Sequence, residues 1–139
     1  MGKVAIELRN ISKRFGSVIA NKDVNLSVNN GEILSLLGEN GSGKTTLMNM
    51  ISGIYFPDEG QIFIDGEEVV ISSPKDAFDY KIGMIHQHFK LVDVFSAAEN
   101  IVLGLKNQGK FDINAITQKV KEISDKYGFD IDPKKKIYE

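Results

Sequence analysis

Gly38-Glu39-Asn40-Gly41-Ser42-Gly43-Lys44-Thr45 sets glycines, a lysine and a hydroxyl at the spacing G-x-x-x-x-G-K-[ST]. Each residue type has a task at that spacing. Glycines let the backbone wrap so closely around a phosphate that successive N–H groups point inward as an anion-binding nest. The Lys44 ammonium can neutralise β- and γ-phosphates, and the Thr45 hydroxyl suits one coordination position of Mg²⁺. Such a loop needs a buried strand ending at its start and a helix beginning at the Lys-Thr, whose unpaired N–H groups and positive dipole end face the same anion. Both neighbours are legible. Ile33-Leu34-Ser35-Leu36-Leu37 is a nearly continuous apolar run that suits a strand buried on both faces of a parallel sheet, and Thr45 to Ser52 reads as a helix stopped by Gly53.

A phosphate loop fixes a ligand class and not a reaction. Small-molecule kinases commonly clamp the transferring phosphoryl group with arginines, and here Arg9 and Arg14 both precede the loop with none after it. A GTPase needs a guanine-reading N-K-x-D beyond the loop, whereas Asn21-Lys22-Asp23 has the wrong spacing and lies before it. Ile62-Phe63-Ile64-Asp65, with Glu67 and Glu68 behind, imitates a Mg²⁺-holding aspartate after an apolar strand. That run is short, and Asp65-Gly66 is better explained as a two-residue hairpin turn. His86 and His88 would share a face on a strand, but without a cysteine or third ligand nearby they suit strand-end packing or an interface better than a metal.

The elements around the loop follow from periodicity. Val4, Ile6 and Leu8, then Val24, Leu26 and Val28, alternate as half-buried strands do, with a turn at Asn29-Asn30-Gly31. Pro57-Asp58-Glu59-Gly60 is a turn, and Gln61 to Ile64 with Glu67 to Val70 flank the Asp65-Gly66 hairpin. Ser73-Pro74 with Asp76 opens a helix, and Lys81 to His86 reads as another buried strand. Ser96-Ala97-Ala98-Glu99 fits a capping box for a helix to about Leu105. Asp112 caps a longer helix in which Ile113, Ile116, Val120, Ile123 and Tyr127 form one apolar stripe, ended by Gly128. Such a stripe is more often plain core than a partner groove.

Composition bounds the rest. The 139 residues are 42% hydrophobic and 26% charged, a globular balance with length for one core. A net charge of −2 argues against nucleic-acid binding through bulk electrostatics, and the lack of cysteine excludes a disulfide framework, a Cys–zinc site and thiol catalysis. No apolar run approaches the ~18 residues a membrane span needs. Met1-Gly2-Lys3 leads into strand-like sequence rather than a signal core, and Ile6 stands where a myristoylation site wants a hydroxyl. A cytosolic globular domain is the expectation.

With the loop in place its flanks become legible. Asn10-Ile11-Ser12-Lys13-Arg14-Phe15-Gly16, Asp23-Val24-Asn25-Leu26-Ser27-Val28 and Gly31-Glu32-Ile33 together resemble the start of an ABC transporter ATP-binding subunit. The spacing continues through Ile51-Ser52-Gly53 and Pro57-Asp58-Glu59-Gly60 to Asp65-Gly66. Ile82-Gly83-Met84-Ile85-His86-Gln87-His88-Phe89, Leu91-Val92 and Ala98-Glu99-Asn100-Ile101 are similar to the simple-sugar and nucleoside importer branch of that family. The resemblance covers residues 4 to about 105 well and the later helix loosely.

The resemblance implies an α/β fold of the P-loop NTPase, ABC ATPase type, with an N-terminal antiparallel β subdomain, part of the helical subdomain and an incomplete core sheet. Residues 1–90 would hold the partial ATP-binding core with its P-loop and Q-loop, and 91–139 part of the α-helical subdomain. Phe15 would stack on adenine, where the family more often has tyrosine; a phenyl face stacks as well. Gly38, Asn40, Gly41, Ser42, Gly43, Lys44, Thr45 and Thr46 would bind the triphosphate of ATP, and Thr45 and Gln87 would hold Mg²⁺. Gln87, the Q-loop glutamine, would join Lys44 as a catalytic residue, reaching Mg²⁺ and the attacking water and sensing the membrane subunit. Beside these roles stand plainer ones, a core Phe15 in a strand–turn and a polar loop Gln87.

The family's signature sequence, its Mg²⁺-holding aspartate with catalytic glutamate, and its switch histidine do not occur in the chain, and all three normally lie beyond Glu139. The expectation is an N-terminal piece of a longer ATPase that holds ATP and Mg²⁺ weakly and does not hydrolyse it appreciably. Strands contributed after the signature complete the family's parallel sheet, so this chain is expected to expose strand edges and apolar surface. Implied partners are transmembrane permease subunits docking near Gln87, a second ATP-binding half in a head-to-tail dimer and, indirectly, a solute-binding protein, with no nucleic acid. The implied location is cytoplasmic, peripheral on the inner face of the cell membrane. The alternatives are a piece of a non-transporter ABC ATPase of DNA repair or translation, and a non-catalytic nucleotide-binding or interaction fragment.

Overall fold

Strand β1 (Val4–Phe15) turns back through Gly16-Ser17 into β2 (Val18–Asn29), an antiparallel hairpin of two twelve-residue strands. The computed structural model describes residues 2–88, 90–104 and 112–138. Strict alternation would turn Ile11 away from the face that Leu8 occupies. A register irregularity between them, with Asn10 at φ 52°, resets the pleat, so that both Leu8 and Ile11 point into the core. The amides freed by the irregularity are recovered by side chains: Asn10 N–H donates to Asn25 Oδ1 at 3.0 Å, and Asp23 N–H to Ser12 Oγ at 2.9 Å.

Strand β3 (Glu59–Ile64) pairs antiparallel with β1, and β4 (Glu67–Val69) with β3, giving the order β2-β1-β3-β4. The β3–β4 turn has Asp65 at φ 51° and Gly66 at φ 84°, the pair of positive angles whose twist matches that of the flanking strands. Helices α1 (Lys44–Ile51) and α2 (Pro74–Asp79) complete this region. Leu8, Ile11 and Ile62 from the sheet join Leu47 and Met50 of α1, Ile71 and Ala77 in one buried cluster. Each fully buried aliphatic side chain contributes roughly 1.5–3 kcal/mol.

Two expected strands are not strands. Residues 33–37 and 81–86 enter no ladder among the described residues, and Ile33, Leu37 and Ile85 are 96%, 92% and 86% exposed. Apolar character favours burial, but a strand exists only where a neighbour accepts its N–H and C=O groups. Neither run meets such a neighbour among the described residues. The exposed apolar surface expected from the sequence is therefore present, while the strands that would carry it are not formed.

The chain divides into two compact units, Met1–Ile85 and His86–Glu139. In the second, α3 (Ala97–Leu103) packs on α4 (Ile113–Tyr127), with Ala98 and Val120 buried. The capping box at α3 is complete: Ser96 Oγ accepts from Glu99 N–H at 3.2 Å, and Glu99 Oε2 accepts from Ser96 N–H at 2.7 Å. The expected helix end near Leu105 lies outside the described residues. The α4 stripe is only partly core. Val120 is buried and Ile113 and Ile116 half-buried, but Ile123 and Tyr127 are exposed and Ser124 takes the inward position. Ser124 can do so because its hydroxyl donates to the Phe129 carbonyl at 2.6 Å.

Candidate functional site

Gly41 at φ 84° and Gly43 at φ 92° turn the loop between residue 38 and α1. Ser42 N–H donates to the Glu39 carbonyl at 3.1 Å, and the Lys44 ammonium folds back to donate to the carbonyls of Gly38 and, at 3.1 Å, Glu39. Lys44, expected to meet phosphate, thus lies over the loop that would hold it. The Gly43 carbonyl accepts the first helical bond of α1, from Leu47 N–H at 3.0 Å.

The start of α1 differs from the other helix starts. α2 is capped by Ser73, α3 by the Ser96–Glu99 box and α4 by Asp112, whose Oδ1 accepts from Asn114 and Ala115 N–H. α1 begins at Gly43 with no side-chain cap and no acidic residue in its first turn. Its leading N–H groups keep their positive partial charge for an external acceptor, and no carboxylate is there to repel an anion. That is a fit for nucleotide phosphates, with the Thr45 hydroxyl in the same first turn. Gly38, Asn40, Gly41, Ser42 and Thr45 are exposed and Gly43, Lys44 and Thr46 half-buried, so the eight residues expected to bind the triphosphate form one continuous surface stretch.

Phe15 ends β1 with 42% of its surface exposed, which is not a core position. Its ring meets Tyr55 edge-on at 5.1 Å, and Lys13 Nζ lies 5.4 Å from its centroid. Asp58 anchors this strand end: Oδ2 accepts from Arg14 N–H at 2.8 Å and Oδ1 from Lys13 Nζ at 3.1 Å. The Arg14 amide first, and then Lys13, hold the Asp58 carboxyl below the usual aspartate range. Asp65, the would-be metal aspartate, sits in the hairpin turn.

In the second unit Gln87 is exposed between His86 and His88, which are also exposed; Phe89 lies outside the described residues. No group of three or more metal-ligating side chains occurs among the described residues. Asn100, noted only as part of a motif, organises the segment that follows Gln87. Its Oδ1 accepts from Val92 N–H at 2.8 Å, and its Nδ2 donates to the carbonyls of Val92 and Ser96, each at 3.1 Å. The Ser96 amide, and then its hydroxyl, keep the Glu99 carboxyl below the usual glutamate range.

Periodicity missed three contributors to these sites: Tyr55 against Phe15, Asp58 at the end of β1, and Asn21, whose Nδ2 donates to the Gly43 carbonyl at 3.2 Å. These pairings join residues between 22 and 44 positions apart, a relation that local pattern does not encode. The available signals were a polar residue inside a strand pattern for Asn21 and the turn chemistry around Pro57 for Asp58.

Known proteins bear on this geometry. The guanosine import ATP-binding protein NupO of Bacillus subtilis is 52% identical over 133 residues, which make up 94% of this chain and 26% of that protein. The chain therefore spans about a quarter of the length of that curated relative. A nucleotide-free ATP-binding cassette from an ABC transporter superposes with a TM-score of 0.81 at 27% identity, covering 98% of this chain and 58% of the cassette. A dimeric cassette in a post-hydrolysis state with ADP and Pi bound superposes with a TM-score of 0.70 at 27% identity, covering 94% of this chain and 61% of its own. The profile of the ABC transporter family matches residues 21–139, and with the loop, the sheet and these relatives in agreement the chain belongs to that family.

Proposed function

We propose that this chain is the ATP-holding part of an ABC importer ATPase whose whole protein couples ATP binding and hydrolysis to uptake of a nucleoside or simple sugar. The observation that carries the reading is α1, the described helix left without a side-chain cap, beginning at the end of a complete phosphate-loop motif.

In this reading Gly38 to Thr46 wrap the triphosphate with backbone N–H groups, and Lys44 gives up its loop carbonyls for the phosphates. Within the loop's own unit Thr45 is the candidate to hold Mg²⁺, which when bound would screen the phosphate charge; Gln87 remains a candidate read from its motif alone. Phe15 offers an exposed aromatic face to the adenine. Residues 1–90 are assigned the nucleotide-holding part and 91–139 the helical part, with the segment after Gln87 as the side that meets the permease. The dimeric cassette with ADP and Pi supports pairing of two ATP-binding halves; the reading sets them head-to-tail, in the cytoplasm and peripheral to the membrane.

Equilibrium binding of Mg²⁺-ATP to the chain tests the reading. Saturable binding is expected, weakened about tenfold or more by Lys44→Ala, the loss of one charge-assisted contact in a phosphate site. Equal affinity of the wild type and Lys44→Ala would overturn it.

A further inference from the structure

We propose that Asn21 is a positioning residue for the phosphate loop, holding the Gly43 carbonyl so that the loop keeps the shape that presents its amides to phosphate. The proposal rests on the nucleotide-binding reading above. Asn21 lies in β2 and is 8% exposed. Its Nδ2 donates at 3.2 Å to the carbonyl that also accepts the Leu47 N–H. Strand and helix thus share one acceptor at the point where loop becomes α1. Sterics agree: Gly43 stands at φ 92°, and a Cβ there would overlap the Ala20 carbonyl oxygen and come within 2.8 Å of Asn21 Nδ2. The loop is seated on β2 with no room for a side chain.

The orientation of the amide follows from its neighbour, because turning Oδ1 toward the Gly43 carbonyl would set two acceptors face to face. Oδ1 is buried and has no donor among the described residues. A buried acceptor without a donor is destabilising, and an apolar side chain of similar volume avoids that cost. The amide is therefore better explained by the donor it offers the loop than by packing.

Aspartate at this position separates the two roles. It matches asparagine in shape; ionised it has no donor, but protonated its O–H can donate to the Gly43 carbonyl. Burial raises the pKa of such a carboxyl, bringing its titration toward the range from about pH 5 to about pH 8. Binding of a fluorescent ATP analogue is compared across that range for the wild type, Asn21→Asp, Asn21→Leu and Lys44→Ala. At the upper end, Asn21→Asp and Asn21→Leu are expected to bind about tenfold more weakly than the wild type. As pH falls, the wild-type-to-Asn21→Asp ratio is expected to close toward one, while that for Asn21→Leu stays constant. Wild-type affinity in both variants would overturn the positioning role. If Asn21→Leu does not fold, Asn21→Ala, uncharged and without a donor, takes its place, because the ionised carboxylate of Asn21→Asp also repels the phosphates. Unaltered binding in Lys44→Ala, or none in the wild type, would instead remove the nucleotide reading and the proposal with it.

Discussion

The four-stranded sheet and the runs at 33–37 and 81–86 are built from similar residues with different outcomes. Ile11 in β1 is fully buried, whereas Ile33 is 96% exposed in a run at least as apolar. The difference is one of partners. β1 finds β2 through a two-residue turn on one side and β3 on the other, so its backbone groups are satisfied and its apolar face meets α1. A parallel strand gains its neighbours only through a crossover of a dozen or more residues. Among the described residues the two runs reach no such neighbour, and hydrophobicity without a ladder leaves an exposed segment.

The sharpest way to break this comparison is to make the same truncation in both regions. Ile11→Ala in the sheet is expected to cost about 2–5 kcal/mol in denaturant melts. Leu37→Ala, 92% exposed, is expected to stay within about 0.5 kcal/mol and to reduce self-association. Comparable losses at the two positions would mean that the 33–37 run is packed in solution.

A smaller contrast lies in the turns. Gly66 holds φ 84° in the β3–β4 hairpin, where a Cβ would meet open space, so the penalty for a side chain is conformational alone. Gly66→Ala is expected to cost roughly 1–2 kcal/mol. At Gly83, in the unpaired run, a Cβ also meets nothing and no left-handed angle is required, so Gly83→Ala should leave the melting midpoint almost unchanged.

The smallest expected effect is one of pH. Asp58 is held below its ordinary range by Arg14 N–H and then Lys13. Its contribution is complete above the ordinary aspartate range and is lost as pH falls through the depressed value, because the unfolded chain takes up the proton first. Amide exchange at Arg14 should accelerate under acid relative to Leu8 in mid-strand, and Asp58→Asn should remove most of that differential. An unchanged ratio from neutral to acid pH would show that the carboxylate does not anchor the strand end.

The candidate site was legible unevenly, for physical reasons. The loop from Gly38 to Thr45 could be read because consecutive residues each carry their own requirement: glycine for the backbone, lysine for charge, a hydroxyl for a cation. The caps at Ser73, Ser96 and Asp112 were equally local, and the structure has each of them. Ile11 was harder, since the irregularity at Asn10 that turns it inward follows from pairing with two other strands. Ile123 looked like part of a helical stripe, but Ser124 takes the inward position and donates to Phe129.

Taken alone, the sequence determined what depends on neighbours a few residues apart: turn, cap and phosphate loop, together with the resemblance that those motifs carry. Tertiary structure decided what depends on distant partners. It ended Phe15 at an exposed strand tip against Tyr55, set Asn21 beneath Gly43, and left 33–37 and 81–86 outside any ladder of the described residues. Local chemistry acts through backbone angles that a residue largely sets for itself, whereas a strand or a buried amide is defined by the group it meets.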